Sequence, residues 1–404
     1  MRDNSVCITG IGAATPVGNS LDVIAGNLLR GVSATRKVFD RHGSQLVPCV
    51  GTAVDQVPTP CTMDRAAFRQ LPKMQQMAAW CGAMALDDAQ LLSSREELRV
   101  GVVLGLGGEW YRHWEMDVVD GGTLIYQPDR EHVPLVNFLQ SHLGLMGPTA
   151  SVAAACASGN YALAQGRRWV EQGLVDICLA GSCEIATPIT RANFNNLRAT
   201  SRRIDDAEHA SRPFDVDRDG FVMGEGAAIF VLESSSSARR RGARIFAEIA
   251  GFGATSDASH MIIPSDDPRP AADAMRAALA DAGIEASEVD YINAHGTSTP
   301  VGDRAETRSL KLVFGSHTAT TPVSSTKSMT GHLLSASAAV EAIACIAAME
   351  QQAIPPTINL DHPDPECDLC HVPHQAVEQR VRVAMSNSFG FGGSNTTLIL
   401  RKAA

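Results

Sequence analysis

Short apolar runs of strand length alternate along the chain with alanine-rich stretches of helical length. This alternation limits the possible folds more than any other feature of the sequence. Strand-like runs lie at Val6–Ile8, Val100–Leu104, Ile177–Ala180, Ala228–Leu232, Ile245–Ala250, Tyr291–Ala294, Val383–Met385 and Thr397–Leu400. Helical stretches lie at Ser20–Leu29, Met74–Ala89, Gly159–Glu171, Ala271–Asp281 and Ala336–Gln351. Gly173 and Gly283 stand where helix C-caps belong, and Pro355-Pro356 blocks any continuation beyond Gln351. Buried strands that alternate with helices predict an α/β fold with mostly buried sheets.

The pattern also echoes itself. Val6–Gly12 (VCITGIG) and Ile249–Gly253 (IAGFG) each read as a strand running into a glycine-rich turn. The strand before Gly105 parallels the one before His295. Ala180-Gly181-Ser182 parallels the glycine loop Asn387–Gly393. Repetition on this scale predicts two related halves, with a join near Ser234–Arg244 that reads as a low-complexity linker. A chain of 404 residues is long enough for both. The expected division is 1–240 and 241–404.

Several classes of function are excluded. A net charge of −10 argues against a nucleic-acid binder, whose footprint is a basic excess. No run of about 18 apolar residues predicts a membrane span. The opening Val6–Gly10 stretch is too short for a signal peptide. The ten cysteines are scattered, as reduced core residues are; the expected compartment is the cytoplasm. Cys367-Asp368-Leu369-Cys370-His371 matches a haem-attachment spacing and, with His374, a zinc spacing. Neither is expected in a chain without an export signal or an axial-ligand module. No G-x-G-x-x-G fingerprint and no phosphate loop appears, so no nucleotide cofactor is expected.

A few residues stand in settings suited to chemistry. Cys156 lies among small residues just before a helix, where dipole and free N–H groups lower a thiol's pKa and can cradle an oxyanion. His295 opens a polar loop directly after a strand, a favoured place for catalytic groups. His332 precedes an alanine-rich helix, where a positive helix end would keep its imidazole neutral and able to donate to a carbonyl. Glu341, amid Ala, Val and Ile, needs a partner if buried, and Lys327 is the obvious one. Asn387–Asn395 sets two aromatics among three glycines, the composition of a movable aromatic gate.

Taken together these segments resemble the β-ketoacyl-acyl-carrier-protein synthases, and among them the elongating bacterial type called synthase II. The resemblance runs from VCITGIGAATPVGNS at 6–20 through ACASG, SRPFDVDRDGFVMGEGA, HGTSTPVGD and STKSMTGH to NSFGFGGSN, in that order. It implies a thiolase-like fold: two similar βαβαβαββ halves in a five-layer αβαβα core, usually a homodimer. It implies a decarboxylating Claisen condensation with malonyl-carrier protein, carried by Cys156, His295 and His332, with Lys327 and Glu341 ordering the histidine loops. The backbone N–H groups of Cys156 and Phe389 would hold the oxyanion, and Phe389 would be the gate.

Further implications concern substrate and partners. Thr297 and Thr299 match positions that bind the 4′-phosphopantetheine arm. That arm arrives on an acyl carrier protein, so no bound cofactor is implied. Arg203, Arg69 and Lys73 match carrier-contacting positions, although Pro72 stands where a further basic residue is expected. Leu106 matches the far end of the acyl pocket. The following segment, 109–117, departs from the family and concentrates Trp110 and Trp114, which suggests either an acyl tunnel shaped for a specialised fatty acid or polyketide substrate or repacking at the dimer interface. Asn293, Glu341 and Asn387 match a monovalent-cation site of some relatives. Two alternatives remain open. A thiolase using coenzyme A esters would need a second cysteine in the C-terminal glycine loop, which has none. A ketosynthase subunit active only beside a chain-length partner would form a heterodimer.

Overall fold

The computed structural model describes residues 5–42, 45–109, 115 and 133–403. Its strands are β1 Val6–Ala14, β2 Arg36–His42, β3 Gln45–Gly51, β4 Val100–Gly105, β5 Thr149–Val152, β6 Ile177–Glu184 and β7 Gly226–Ser234 in the first part of the chain. They continue as β8 Ala247–Ser256, β9 Tyr291–Asn293, β10 Val323–Ser324, β11 Ala353–Ile354, β12 Val377–Glu378, β13 Val383–Gly390 and β14 Ser394–Arg401. Ten of them form one sheet, in the order β10-β9-β13-β14-β8-β1-β7-β6-β4-β5.

That order is the same path traced twice. In each half the first strand pairs antiparallel with the fifth, the fifth antiparallel with the fourth, the fourth parallel with the second, and the second parallel with the third. The halves meet where β1 and β8 exchange a short antiparallel register, Cys7 opposite Glu248 and Ile8 opposite Ala247. One core lies between the halves and holds the helices Ser158–Glu171 and Ser337–Gln351. A second core packs Lys73–Asp88 and Leu135–Leu143 on the outside of one half. A third packs Arg269–Ala282 and Pro300–Phe314 on the outside of the other. Five layers result, helix–sheet–helix–sheet–helix.

The glycine echo has a different cause from the one read in the sequence. Gly10 and Gly12 are not a turn, because β1 runs through them to Ala14. A Cβ on Gly10 would lie 2.0 Å from the carbonyl oxygen of Ala85, and one on Gly12 would lie 1.8 Å from that of Cys81. The glycines therefore let the helix Lys73–Asp88 lie directly on the strand. Gly251 and Gly253 in β8 do the same for Arg269–Ala282, at 2.2 and 2.0 Å from the oxygens of Ala278 and Ala274. The repeat records a packing contact, and strand length extends past it in both halves.

The expected linker is also structured. Ser234 caps a short helix, Ser235–Arg240. Arg241 Nε donates to both oxygens of buried Glu233 at 3.1 Å, and Thr9 Oγ1 donates to the same carboxylate at 2.6 Å. The crossing between halves is thus pinned by an ion pair between half-buried Arg241 and a buried carboxylate. The stretch Leu334–Gln351 is long and apolar enough to span a membrane by composition, but 89% of it is buried between the two sheet halves.

Candidate active site

Both halves deliver their chemistry at the carboxyl ends of parallel strands, where open α/β sheets build their sites. The third strand of each half ends in the same device. After β5 comes a 3₁₀ turn, Ala155–Ala157, entered through Ala155 at φ +49°, and then a helix beginning at Ser158. After β10 and the short helix Lys327–Thr330 comes the turn Leu334–Ala336, entered through Leu334 at φ +51°, and then a helix beginning at Ser337. Two non-glycine residues in left-handed backbone, one next to Cys156 and one two residues after His332, mark backbone strain held at both turns.

Gly331, at φ +70°, turns the chain out of the Lys327–Thr330 helix. His332 then pairs with the segment Val222–Gly224: its N–H donates to Val222 O at 2.7 Å, and its carbonyl accepts from Gly224 N–H at 2.9 Å. Part of the long SRPFDVDRDGFVMGEGA motif is thus the backbone rail that positions His332. The other histidine loop is held by Glu306, whose two oxygens accept the backbone N–H groups of His295 and Gly296 at 2.9 and 2.8 Å. Ser325 Oγ ties the two loops by donating to Gly296 O at 2.6 Å.

These supports bring three groups together. His332 Nε2 stands 3.1 Å from Cys156 Sγ. The rings of His295 and His332 lie 5.5 Å apart, edge to face. All three line one cavity of about 420 Å³ that also presents Thr297, Thr299, Phe389 and Phe391. Cys156 is the one cysteine among its described lining residues. Phe194, Phe221 and Leu334 supply apolar wall.

Electrostatics corrects one expectation. Burial pushes the Cys156 thiol up to about 12, outweighing the Lys327 charge and a backbone N–H from Phe391 that pull it down. The helix end therefore does not leave a resting thiolate, because the thiol of a residue only 8% exposed has lost its water. Burial, and then the Lys327 charge, hold both imidazoles well below the usual histidine range, so both are neutral. The cause is desolvation and charge rather than the helix end expected. Lys327 and Glu341 form a fully buried ion pair. Burial nevertheless raises the Glu341 carboxyl to about 7.

Other expected residues are distributed as follows. The amide that reaches the sulfur belongs to Phe391, not Phe389; the Phe389 ring instead lies tilted against that of His295, 5.6 Å between centroids. The strand register puts Phe389 inside β13, opposite Asn395. Thr297 and Thr299 share a hydroxyl hydrogen bond of 3.0 Å in the cavity, and Thr299 also caps the helix Pro300–Phe314. Leu106 is buried in the outer core and is not among the cavity lining. Trp110 and Trp114 lie outside the described residues.

Lys73 is engaged by the buried carboxylate of Glu225 rather than free. Arg203 donates to Asp217 O at 2.7 Å. Arg69 is exposed beside Arg65 at a second cavity of about 610 Å³. Asn293 Oδ1 and Glu341 Oε2 are buried without a hydrogen-bond partner among the described residues. Asn387 is satisfied on both sides, by Glu306 and Thr397. At the rejected haem and zinc spacing, His371 bonds the Cys367 carbonyl at 2.6 Å, and no metal-binding cluster of His, Cys, Asp or Glu exists among the described residues. All ten cysteines are free thiols.

Sequence reasoning missed Glu306, Phe391 and two serines, Ser335 and Ser337. Glu306 had a signal: an acidic residue eleven positions after His295, on the buried face of the next helix. The serines had none, since small polar residues in an alanine-rich helix start read as simple packing.

The comparisons agree with this geometry. The pattern of the β-ketoacyl synthase N-terminal domain matches residues 3–238, and that of its C-terminal domain matches residues 246–361. A 3-oxoacyl-acyl-carrier-protein synthase 2 of Synechocystis is 40% identical over 411 residues, covering 100% of this chain and 99% of the relative. A β-ketoacyl synthase from Burkholderia phymatum superposes with a TM-score of 0.87 at 34% identity, over 99% of this chain and 100% of its own. The ishigamide ketosynthase/chain length factor superposes with a TM-score of 0.87 at 33% identity, over 99% of each chain. Matches at this level over the full length, on a twice-traced sheet with its cysteine and histidines in one cavity, place the chain in the β-ketoacyl synthase family.

Proposed function

We propose that the protein is an elongating β-ketoacyl-acyl-carrier-protein synthase of the cytoplasm. It condenses an acyl group held on Cys156 with malonyl-carrier protein to give a β-ketoacyl-carrier protein. The observation that carries this reading is the 3.1 Å approach of His332 Nε2 to Cys156 Sγ in a cavity shared with His295.

The chemistry follows from these groups. The Cys156 sulfur attacks the thioester carbonyl, its proton leaves with the departing pantetheine thiol, and the acyl group stays on the enzyme. Backbone N–H groups of Cys156 and Phe391 receive the oxyanion. Malonyl-carrier protein then enters, and its thioester carbonyl meets the N–H groups of the two neutral histidines. Carbon dioxide departs, the electron pair left behind forms an enolate on that carbonyl, and its carbon attacks the acyl-Cys156 carbonyl. Cys156 is expelled as the product forms. Each well-aimed donor contributes roughly 3–4 kcal/mol to its transition state.

The remaining residues serve this sequence. Lys327 and Glu341 position the histidine loops. Thr297 and Thr299 bind the pantetheine arm, and Phe389 with Phe391 gates it. Arg203 and Arg69 contact the acidic carrier. A monovalent cation would be held by Asn293 and Glu341, whose free oxygens suit it, and would offset buried negative charge. The half spanning 1–240 supplies the nucleophile and the half spanning 241–404 both histidines. The edge strand β5, unpaired on one side among the described residues, suits pairing with a second copy as a homodimer. Likeness to a ketosynthase/chain length factor supports a second reading, activity only in a heterodimer; size-exclusion of the protein alone separates the two.

Cys156→Ala should abolish the acyl adduct seen by intact mass spectrometry after incubation with acyl-carrier protein. Acylation at another cysteine overturns the assignment.

A further inference from the structure

His332 has two ring nitrogens with separate partners. Nε2 faces Cys156, and Nδ1 lies 2.8 Å from the hydroxyl of Ser337. Which nitrogen carries the proton is decided by the partner of the other. Ser337 is 2% exposed, so its O–H proton needs an acceptor inside the protein. Among the described residues its hydroxyl makes one hydrogen bond, the one to His332.

Only one of the two arrangements satisfies both groups. If Nδ1–H donated to Ser337, the hydroxyl proton would be buried without an acceptor, at a cost of about 1–3 kcal/mol. If Ser337 donates to Nδ1, the hydroxyl proton has an acceptor and the ring proton must sit on Nε2, facing the sulfur; the proton then left without a partner is that of the Cys156 thiol, a weak donor that loses less than a hydroxyl would. The equivalent serine in the other half behaves differently. Ser158 opens the twin helix, but it donates to Ala155 O at 2.6 Å and accepts from Ala154 N–H at 2.9 Å, closing its own turn. Ser337 makes no such bond and is turned to the histidine instead.

We propose that Ser337 is a positioning residue that commits His332 to the Nε2–H tautomer, presenting a donor both to the sulfur and to the malonyl thioester carbonyl. This rests on the role given to His332 above. An imidazole in the other tautomer would point a lone pair at the enolate oxygen and repel it. Ser337 thereby acts on the decarboxylation step, in which the imidazole is a donor, more than on acyl loading, whose oxyanion is held by backbone amides.

The test is the tautomer itself. Long-range proton–nitrogen NMR of the full-length protein labelled with ¹⁵N-histidine, with His332 assigned by H332Q, reads it without any turnover. Wild type is expected to show the Nε2–H form. Ser337→Ala should populate the Nδ1–H form, and Ser337→Thr should restore Nε2–H. Ser335→Ala is the control: Ser335 Oγ donates to Glu184 at 2.7 Å in the same turn and does not touch His332, so the tautomer should stay.

Malonyl-carrier decarboxylation should fall roughly five- to tenfold in Ser337→Ala, the worth of one neutral hydrogen bond, while Cys156 acylation changes less. An Nδ1–H wild type, an unchanged tautomer in Ser337→Ala, or an equal shift in Ser335→Ala overturns the proposal. The wild-type spectrum decides even if the alanine variant does not fold. If wild type shows Nε2–H but Cys156 never acylates, the condensing function fails while the tautomer assignment stands.

Discussion

Lys327→Met tests whether one buried charge sets both the stability and the electrostatics of the site. Lys327 is 1% exposed and Glu341 3%. Removing one member of a buried pair leaves the other uncompensated and costs about 3–5 kcal/mol. Glu341 limits that loss, because burial already holds its carboxyl near 7 beside Lys327. Without the lysine it protonates at neutral pH instead of remaining charged. The loss at pH 7 should therefore lie near the lower end of that range, and Glu341→Gln added to Lys327→Met should recover part of it.

The same charge is the largest influence pulling the Cys156 thiol down, and it also lowers both histidines. Its loss should move the alkylation profile of Cys156 to higher pH. Carbamidomethylation at neutral pH should slow about tenfold for every pH unit that the profile moves, because the reactive thiolate becomes rarer by that factor. Urea denaturation at pH 7 reads the first effect, and the rate of iodoacetamide adduct formation by intact mass reads the second. A variant within about 1 kcal/mol of wild type, with an unmoved alkylation profile, would refute the reasoning.

His332→Ala should slow malonyl-carrier decarboxylation far more than acyl loading of Cys156, read by carbon dioxide release and by intact mass; equal loss of both would refute the division of roles. Glu184 is buried at the end of β6, and burial raises its carboxyl to about 7 against an ordinary value of 4.5. The folded state therefore binds this proton more tightly than the unfolded chain does. Its contribution to stability is present below about 4.5 and is lost as pH rises through 7. Glu184→Gln should match wild type near pH 4.5 and exceed it at pH 8 by up to about 3 kcal/mol in urea denaturation; a difference independent of pH would refute this.

Much of the site was legible in one dimension, because its chemistry needs particular residue types beside particular turns. Cys156 and His332 before helices, and His295 after a short strand, stand out by their neighbours alone. The buried Lys327–Glu341 pair was legible from the isolation of an acid on an apolar helix. Phe389 was mistaken for Phe391 because two phenylalanines two positions apart in a glycine loop look alike. Only the folded loop shows that the amide reaching the sulfur is that of Phe391. Trp110 and Trp114 lie outside the described residues.

By itself the sequence determined the alternation of strands and helices, the duplication, the family and the groups proposed to react. All of these are written in local composition, spacing and motif order. Tertiary structure alone decided the state of those groups. A thiol expected to ionise at a helix end is held protonated, because packing removes its water. Glycines that read as turns are contact points, because a helix folded from a distant segment lies on them. A serine that reads as helix filler faces the His332 imidazole. Desolvation and contact depend on what the rest of the chain brings near, and no residue carries that information in its neighbours along the sequence.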